Sequence, residues 1–319
     1  MTSTMALRTR TVVAFVVGAY VLAWLVCLPA WLTGGLTSPW FGLCAQVMML
    51  TPMISALIAL RWVEGRRWRG DGDHPPILVS LGLAVTRGAD GERRTVLGWF
   101  GWLVLAWVLL VVVVAAGFWV SALFGTWQAD LVNFATFAQL LEAQGIPPGT
   151  ELPPMAFLVA VQLVQALTLG VVLTAIFTTG EEIGWRGLLY PALMARTPKV
   201  VALVIGGVVW GLWHAPVILL GYNYGHPVLG LPLMCGFTTV YGALLAWLRM
   251  RSGSVWPAVV AHAVMNAFTS AVLMSLSDPA WVDATVWGTA IGVTGWIAPA
   301  VLAVALWWFA GGRTSRKGT

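Results

Sequence analysis

Charged residues are scarce in this sequence: Asp, Glu, Lys and Arg make up 9% of its 319 residues, whereas soluble globular proteins contain about 25%. Such a low share excludes a water-soluble domain. It also excludes a disordered chain, which stays unfolded because it is polar and charged. Binding to nucleic acid is excluded as well, because the formal net charge of +5 is too small for an electrostatic footprint on phosphates, and the positions of the cations have the explanation given below.

Cysteine and two common catalytic motifs are also missing or rare. The 3 cysteines, Cys27, Cys44 and Cys235, lie inside apolar runs without a CxxC spacing, which argues against a disulfide framework or a thiolate metal site. We expect them to be small buried residues. The sequence contains neither HExxH nor GxSxG, so the common zinc-protease helix and the serine nucleophile elbow have no support.

Hydrophobic residues make up 59% of the sequence, and they occur in runs of about 20 residues, long enough to cross a bilayer as helices. The runs that we interpret as spans lie at 11–32, 40–60, 95–124, 154–178, 200–221, 229–248, 255–276 and 285–310. We therefore expect an all-α polytopic membrane protein with about eight transmembrane helices in a single integral membrane domain, 1–319. The first run follows Arg8 and Arg10 without a small-residue cleavage site, which predicts a retained anchor helix.

Lys and Arg are distributed unevenly among the connections between these runs. All cations except Arg186 fall on one side of the predicted membrane: Arg8, Arg10, Arg61, Arg66, Arg67, Arg69, Arg87, Arg93, Arg94, Arg196, Lys199, Arg249, Arg251, Arg313, Arg316 and Lys317. The connections on the other side, near 33–39, 125–153, 222–228 and 277–284, contain no Lys or Arg. Because cytoplasmic connections are enriched in these residues, we expect both termini in the cytoplasm. We also expect the membrane to be a bacterial plasma membrane.

Two connections contain more than a turn. Between 61 and 94, Pro75 and Pro76 precede ILVSLGLAV, which is too short to span a bilayer and is expected to form an interfacial or re-entrant segment. Between 125 and 153, apolar residues recur at helical spacing: Leu131, Phe134, Phe137, Leu140 and Leu141. This recurrence predicts an amphipathic helix that lies on the outer face.

Two GxxxG spacings, Gly207–Gly211 and Gly288–Gly292, occur within the fifth and eighth apolar runs. Glycines at this spacing let two helices approach each other closely in a bilayer. We expect them to serve helix packing and no chemistry.

Ionisable residues inside the spans are expensive, at about 2.5 to 3.5 kcal/mol each on insertion scales, so the few that are present need an explanation. They cluster in three short segments, and their members are Glu181, Glu182 and Arg186, then His214, then His262 with Asn266. Glu182 with Arg186, and His262 with Asn266, are four residues apart and so share a helix face. His74 and His226 lie in connections, where we expect them to be solvated.

A carboxylate, two imidazoles and an amide in one pocket suit water-mediated peptide hydrolysis, because the carboxylate can take a proton from water while His and Asn position that water or the oxyanion. The same residues leave other interpretations open. Glu181, His214 and His262 have the ligand count of a catalytic zinc site. Glu182 and Arg186 could form a structural ion pair, and each His could be an ordinary core residue. A proton-coupled transporter also keeps Glu and His inside its spans.

The three segments resemble the motifs of the CPBP family, the CAAX proteases and bacteriocin-processing proteins also called Abi, which read EExxxR, FxxxH and HxxxN or HxxxD. The resemblance covers about 175–270, with Glu181 to Arg186 as the first motif, His214 in the second and His262 to Asn266 as the third. Trp210 stands in the Phe position of the second motif, which we expect to change packing only.

The resemblance implies an intramembrane endopeptidase, similar to the type II CAAX prenyl endopeptidases, that cleaves a membrane-associated peptide of prenylated or bacteriocin type. The implied catalytic residues are Glu181, Glu182, Arg186, His214, His262 and Asn266. No cofactor is certain, and Zn²⁺ remains an alternative. The competing hypotheses are a proton-coupled transporter and a non-catalytic immunity protein that binds a peptide in the same cavity.

The two adjacent glutamates are expected to differ in role. Glu182 precedes Arg186 by four residues, the favourable order for an ion pair, so its carboxylate is expected to fix the helix. Glu181 points about 100° away on a helix and is expected to be the general base. Because Glu181 follows the predicted inner end of the fourth run, we expect the site to open toward the cytoplasm. For the three segments to meet, the fourth run must continue past 178 or the fifth must begin before 200.

Overall fold

The computed structural model describes residues 7–71, 73–86, 93, 95–147, 149–282 and 284–311. These residues form helices and turns together with an isolated β-bridge between Ala129 and Ser277, which confirms the predicted all-α class. In chain order the α-helices are α1 (Thr9–Leu32), α2 (Phe41–Met48), α3 (Thr51–Ile58), α4 (Ile77–Ser80), α5 (Val96–Leu123), α6 (Ala135–Ala143), α7 (Met155–Gln165), α8 (Val171–Glu182), α9 (Tyr190–Met194), α10 (Lys199–Trp213), α11 (Ala215–Ile218), α12 (Pro227–Ser252), α13 (Trp256–Leu276) and α14 (Ile297–Gly311).

Each of the predicted spans contains helix in the described part of the chain. Within it, 6 helical segments are long and apolar enough to cross a membrane, and Lys199–Trp213 and Thr294–Phe309 are shorter apolar helices. The polytopic membrane class is therefore confirmed. Arg87, Arg94, Arg313, Arg316 and Lys317, on which the predicted orientation also depends, lie outside the described residues.

The eighth predicted span begins later than the hydropathy indicates. α14 starts at Ile297, and the residues before it form turns. Gly288 and Gly292 lie in these turns, so the prediction that they join two helices is wrong: a Cβ on Gly288 would overlap the carbonyl oxygen of Thr126, against which the turn folds. The other GxxxG pair acts as predicted, since Gly211 on α10 faces the backbone of Cys235 on α12, with only 2.5 Å from a Cβ position to that Cα.

The helix that carries the first motif is unusually long. α7, α8 and α9 are joined by π-helical segments, Ala166–Gly170 and Ile183–Leu189, into one helix of 40 residues, Met155–Met194. The expectation that this span continues past 178 is thus confirmed. The turn before α3 crosses it at Gly180 and the start of α3 crosses it at Gly184, where a side chain would overlap Met49 and Pro52 respectively. The two glycines therefore fix the depth at which the motif sits in the bundle.

The helical bundle has two ends, and contacts between the connecting segments identify each of them. At one end, which we call the basic end, the guanidinium of Arg8 pairs with Glu64 at 3.5 Å and the backbone N–H of Val255 donates to the carbonyl of Gly82 at 2.9 Å. At the other, which we call the opposite end, Trp127 donates its indole N–H to Ser277 at 2.8 Å. The α13 helix runs from the basic end to the opposite end.

The proline-containing connection folds back into the basic end, as the re-entrant interpretation predicts. Its short helix α4 follows Pro76, and both Ile77 and Leu81 are fully buried. Trp256, at the start of α13, donates its indole N–H to the carbonyl of Leu83 at 2.9 Å. The segment therefore supports the basic end of the bundle.

The amphipathic helix in the other long connection is shorter than predicted. α6 begins only after Phe134, which has a left-handed φ of 51°, so Leu131 lies in the preceding turn. The backbone N–H groups of Ala135 and Asn133 donate to Asp130 and lower the pKa of its carboxyl. Phe134 and Phe137 pack on Val159 of α7, so the apolar face of the helix is covered by the protein itself.

Candidate active site

The three motif segments converge on one cavity of about 280 Å³, as predicted from their order and spacing. The cavity is lined by Glu181 from α8, His214 at the end of α10, and His262 and Asn266 from α13. Unpaired polar groups are costly in a bilayer, and these four polar side chains share one cavity whose lining is otherwise largely apolar. Glu182 and Arg186 lie behind them and do not line it.

Glu182 holds two of the other motif residues. Its Oε1 accepts a hydrogen bond from Nη1 of Arg186 at 2.8 Å, which confirms the predicted pair. The same Oε1 lies 2.8 Å from Nδ1 of His262, a contact that was not predicted. Glu182 and Arg186 are both 0% exposed, so this carboxylate compensates a buried cation and orients an imidazole at the same time.

Glu181 is bound to Trp210, the residue in the Phe position of the second motif. Nε1 of Trp210 donates to Oε2 of Glu181 at 2.6 Å, and the two side chains are 1% and 2% exposed. Among the described residues no hydrogen bond is made to the other oxygen of Glu181, Oε1. The expectation that Trp210 alters packing only is incomplete. The signal was in the sequence, since a buried indole N–H needs an acceptor that Phe does not need.

The ring of Trp210 also contacts the other motif residues. The guanidinium carbon of Arg186 lies 4.0 Å from the centroid of the indole, and the His262 ring meets it edge-on at 5.3 Å. Nε and Nη2 of Arg186 have no hydrogen-bond partner within the described residues. The cation–π contact with Trp210 therefore offsets part of the cost of burying the guanidinium.

His214 sits where α10 ends. Pro216, which lacks a backbone N–H, lies two residues later in the first turn of the short helix α11. Nδ1 of His214 lies 2.9 Å from the carbonyl oxygen of Trp210, and since a carbonyl only accepts, Nδ1 carries the proton. The same reasoning places a proton on Nδ1 of His262 against Glu182. Both imidazoles thus have Nε2 available for the cavity.

The zinc alternative depends on where the possible ligand atoms lie. Within the described ranges, no group of three or more His, Cys, Asp or Glu side chains is placed to hold a metal ion. Glu181, His214 and His262 line the same cavity, and the hydrogen bonds they make leave Oε1 of Glu181 and Nε2 of each imidazole without a partner in the described part of the chain. The three side chains do not form such a group as placed here, and the zinc alternative stays a prediction.

The cavity extends away from the basic end. Beyond Asn266, its wall on α13 continues through Thr269, Ser270 and Leu273, toward the opposite end. Tyr222 and Asn223, from the turn that precedes α12, line it as well. The sequence predicted cytoplasmic cations and a cytoplasmic opening of the site, and in this structure the two predictions are incompatible, because the cavity and the cations lie toward different ends.

The remaining residues of interest lie outside this cavity. His74 and His226 are exposed, as expected, and His74 pairs with Asp71 at 3.0 Å. Cys27 and Cys44 are buried, and Cys235 is partly buried. None of these five residues contributes to the cavity.

Comparison with known proteins identifies the segment that carries the site. Residues 161–268 match a family model described as type II CAAX prenyl endopeptidase Rce1-like. A curated relative, CAAX prenyl protease 2 of Methanococcus maripaludis, is 28% identical over 94 residues, which are 28% of this chain and 35% of the relative. The chain thus matches about a third of that relative's length. The resemblance to the CAAX-protease-like family, read from three motifs, is confirmed, and the matched range contains all six motif residues.

Proposed function

We propose that this integral membrane protein is an intramembrane endopeptidase that hydrolyses a peptide bond of a membrane-associated peptide. The observation that carries the proposal is the convergence of Glu181, His214, His262 and Asn266 on one cavity inside the segment that matches the type II CAAX prenyl endopeptidase model. A prenylated peptide and a bacteriocin-type peptide are the two substrate classes that the family resemblance suggests.

In the proposed reaction, Glu181 takes a proton from a water molecule as the water oxygen attacks the carbonyl carbon of the scissile bond. Nε2 of one imidazole, that of His214 or of His262, accepts the second hydrogen of that water and orients it, while the other imidazole lines the cavity beside the reacting carbonyl. The side-chain amide of Asn266 donates to the oxyanion that forms. The C–N bond then breaks, and the proton held by Glu181 passes to the leaving amine, so that one water is consumed for each bond cleaved. No metal is required in this sequence of steps.

Glu182 and Arg186 act through other residues. The contact of 2.8 Å between Glu182 and Nδ1 of His262 supports a role in keeping the imidazole in one orientation, as a carboxylate does for a catalytic His. Arg186 donates to the same carboxylate at 2.8 Å and supplies the buried positive charge beside it. We therefore describe both as positioning residues.

The orientation that we propose follows the distribution of Lys and Arg. With the basic end in the cytoplasm of a bacterial plasma membrane, both termini lie inside and 1–319 forms a single membrane domain. An impermeant thiol reagent applied to intact cells is then expected to label Val132→Cys and not Arg67→Cys. The reverse pattern would contradict the orientation.

The decisive experiment is the incubation of the purified protein with a library of membrane peptides, followed by mass spectrometry. We expect new peptide termini with the wild-type protein and none with Glu181→Gln. Glu151→Gln, the same change at an exposed residue that does not line the cavity, serves as the matched control and is expected to cleave normally. Peptide accumulation in vesicles that depends on a proton gradient, without cleavage, would instead support a transporter.

A further inference from the structure

The route by which a substrate reaches the site follows from the walls of the cavity. Glu181 lies toward the basic end, and His262 is the first of its α13 residues in the lining. From His262, the lining continues along α13 to Leu273, about 16 Å farther at 1.5 Å per residue. Ile291, from the turns before α14, also lines the cavity, and the hydroxyl of Tyr224 donates to its carbonyl at 3.1 Å. The cavity therefore leads from the site to the opposite end.

The basic end of the same space is closed by protein. The residues that follow Glu182, from Ile183 through Ala192, are all buried. Gly184 packs against Pro52, and a Cβ on Gly187 would lie 3.2 Å from the carbonyl oxygen of Leu81. These contacts place α3 and the re-entrant segment directly beneath the motif helix. A peptide arriving at the basic end would meet packed helices.

The charges show which face of the membrane the cavity serves. Among the described residues, every Lys and Arg except Arg186 lies at the basic end. Of the described Asp, Glu, Lys, Arg and His residues, those at the opposite end are His226 and four acidic residues, Asp130, Glu142, Glu151 and Asp278. Because cytoplasmic faces are enriched in Lys and Arg, the opposite end corresponds to the external face.

We propose that the cavity receives its substrate from the external face of the membrane, so that the substrate is an exported peptide or an externally exposed segment of a membrane protein. This inference rests on the proposed hydrolysis. It selects between the two substrate classes, since the C terminus of a cytosolic lipid-modified protein would meet the closed end. The lining is adaptable, with Met48, Met49, Met234 and Met265 beside Phe237, and suits apolar side chains of varied shape.

Ser270 provides the test of access, because it is exposed and lines the cavity beyond Asn266, and Cys is nearly isosteric with Ser. In a full-length protein whose native cysteines are replaced by Ala, Ser270→Cys is to be treated with an impermeant thiol reagent in right-side-out and in inverted membrane vesicles. Val132→Cys marks the opposite end, and Arg67→Cys marks the basic end. We expect Ser270→Cys to be labelled in the same vesicles as Val132→Cys, those that are right-side-out. Labelling of Ser270→Cys only in inverted vesicles would overturn the proposal.

Cleavage provides a second readout with the same vesicles. Impermeant synthetic peptides are expected to be cut when added to right-side-out vesicles and not when added to inverted ones. Reagent bound at Ser270→Cys is expected to abolish this cleavage, whereas reagent bound at Val132→Cys is expected to leave it unchanged. Cleavage only in inverted vesicles would overturn the external route. External labelling of Ser270→Cys without cleavage in either preparation would support the route and count against the proposed hydrolysis, so the two failures are distinguishable.

Discussion

Nε1 of Trp210 lies 2.6 Å from Oε2 of Glu181 and donates a hydrogen bond to it. A residue that motif comparison treats as an aromatic spacer therefore restrains the carboxylate proposed as the general base. Because Oε2 accepts the indole N–H, Oε1 is the oxygen of Glu181 that has no hydrogen bond among the described residues, and we expect it to take the proton from water. The arrangement links the first and second motifs through a bond that Phe, the residue of the family pattern, could not make.

Replacing Trp210 by Phe is expected to lower turnover with little change in KM. The ring that stacks on Arg186 at 4.0 Å is largely retained, while the hydrogen bond to a charged group, worth about 1.5 to 3 kcal/mol, is lost. The expected fall in kcat is about tenfold to a hundredfold, measured by steady-state kinetics. Trp210→Ala, which also removes the ring, is expected to lower the thermal midpoint. A wild-type kcat for Trp210→Phe would show that the bond does not position the base.

Replacing each of the two adjacent glutamates by Gln is expected to affect different properties, activity for Glu181 and stability for Glu182. Glu181→Gln should abolish cleavage and leave the thermal midpoint nearly unchanged, since an amide still accepts the bond from Trp210. Glu182→Gln should destabilise the protein by about 3 to 5 kcal/mol, because Arg186 loses its buried counter-charge. Thermal unfolding in detergent and a cleavage assay measure the two effects. Equal folding defects, or full activity of Glu181→Gln, would show that the roles are assigned wrongly.

The chain at the start of α3 lies so close to the motif helix that a single added methyl group on Gly180 is expected to destabilise the protein. In Gly180→Ala the added Cβ would lie 2.5 Å from the carbonyl oxygen of Met49, so the helices must separate, at an expected cost of about 1 to 3 kcal/mol. Gly101→Ala, on α5, is the matched control because nothing lies within 4 Å of its Cβ position. Its stability is expected to stay the same or to rise slightly, and comparable losses in both variants would contradict the packing argument.

Chelation is expected to leave cleavage unchanged, because Glu181 and the two imidazoles suffice in the proposed mechanism. The purified protein is to be assayed before and after dialysis against a strong chelator, with elemental analysis of both samples. Loss of activity that stoichiometric Zn²⁺ restores would replace the glutamate-activated water by a metal-activated one. A Zn²⁺-free and fully active sample is the expected result.

Local patterns in the sequence were sufficient for several features of the site. The pair of Glu182 and Arg186 was predicted because both belong to one helix, where four residues of separation fix the geometry. The positions of the spans followed from runs of apolar residues, and the continuation of the fourth span followed from the need to bring three motifs to one depth. Hydropathy was misleading at 285–296, since apolar residues there fill turns packed on Thr126.

The sequence by itself determined that this chain is an all-α membrane protein, which residues are chemically equipped, and which side of the bundle carries the cations. Only the tertiary structure decided that Trp210 binds Glu181 and that Glu182 binds His262, residues 29 and 80 positions apart. It alone revealed that the cavity leads away from the basic end. Hydropathy and charge act on each segment separately, whereas these contacts depend on the depth and rotation of one helix against another, which close packing at Gly180 and Gly184 fixes.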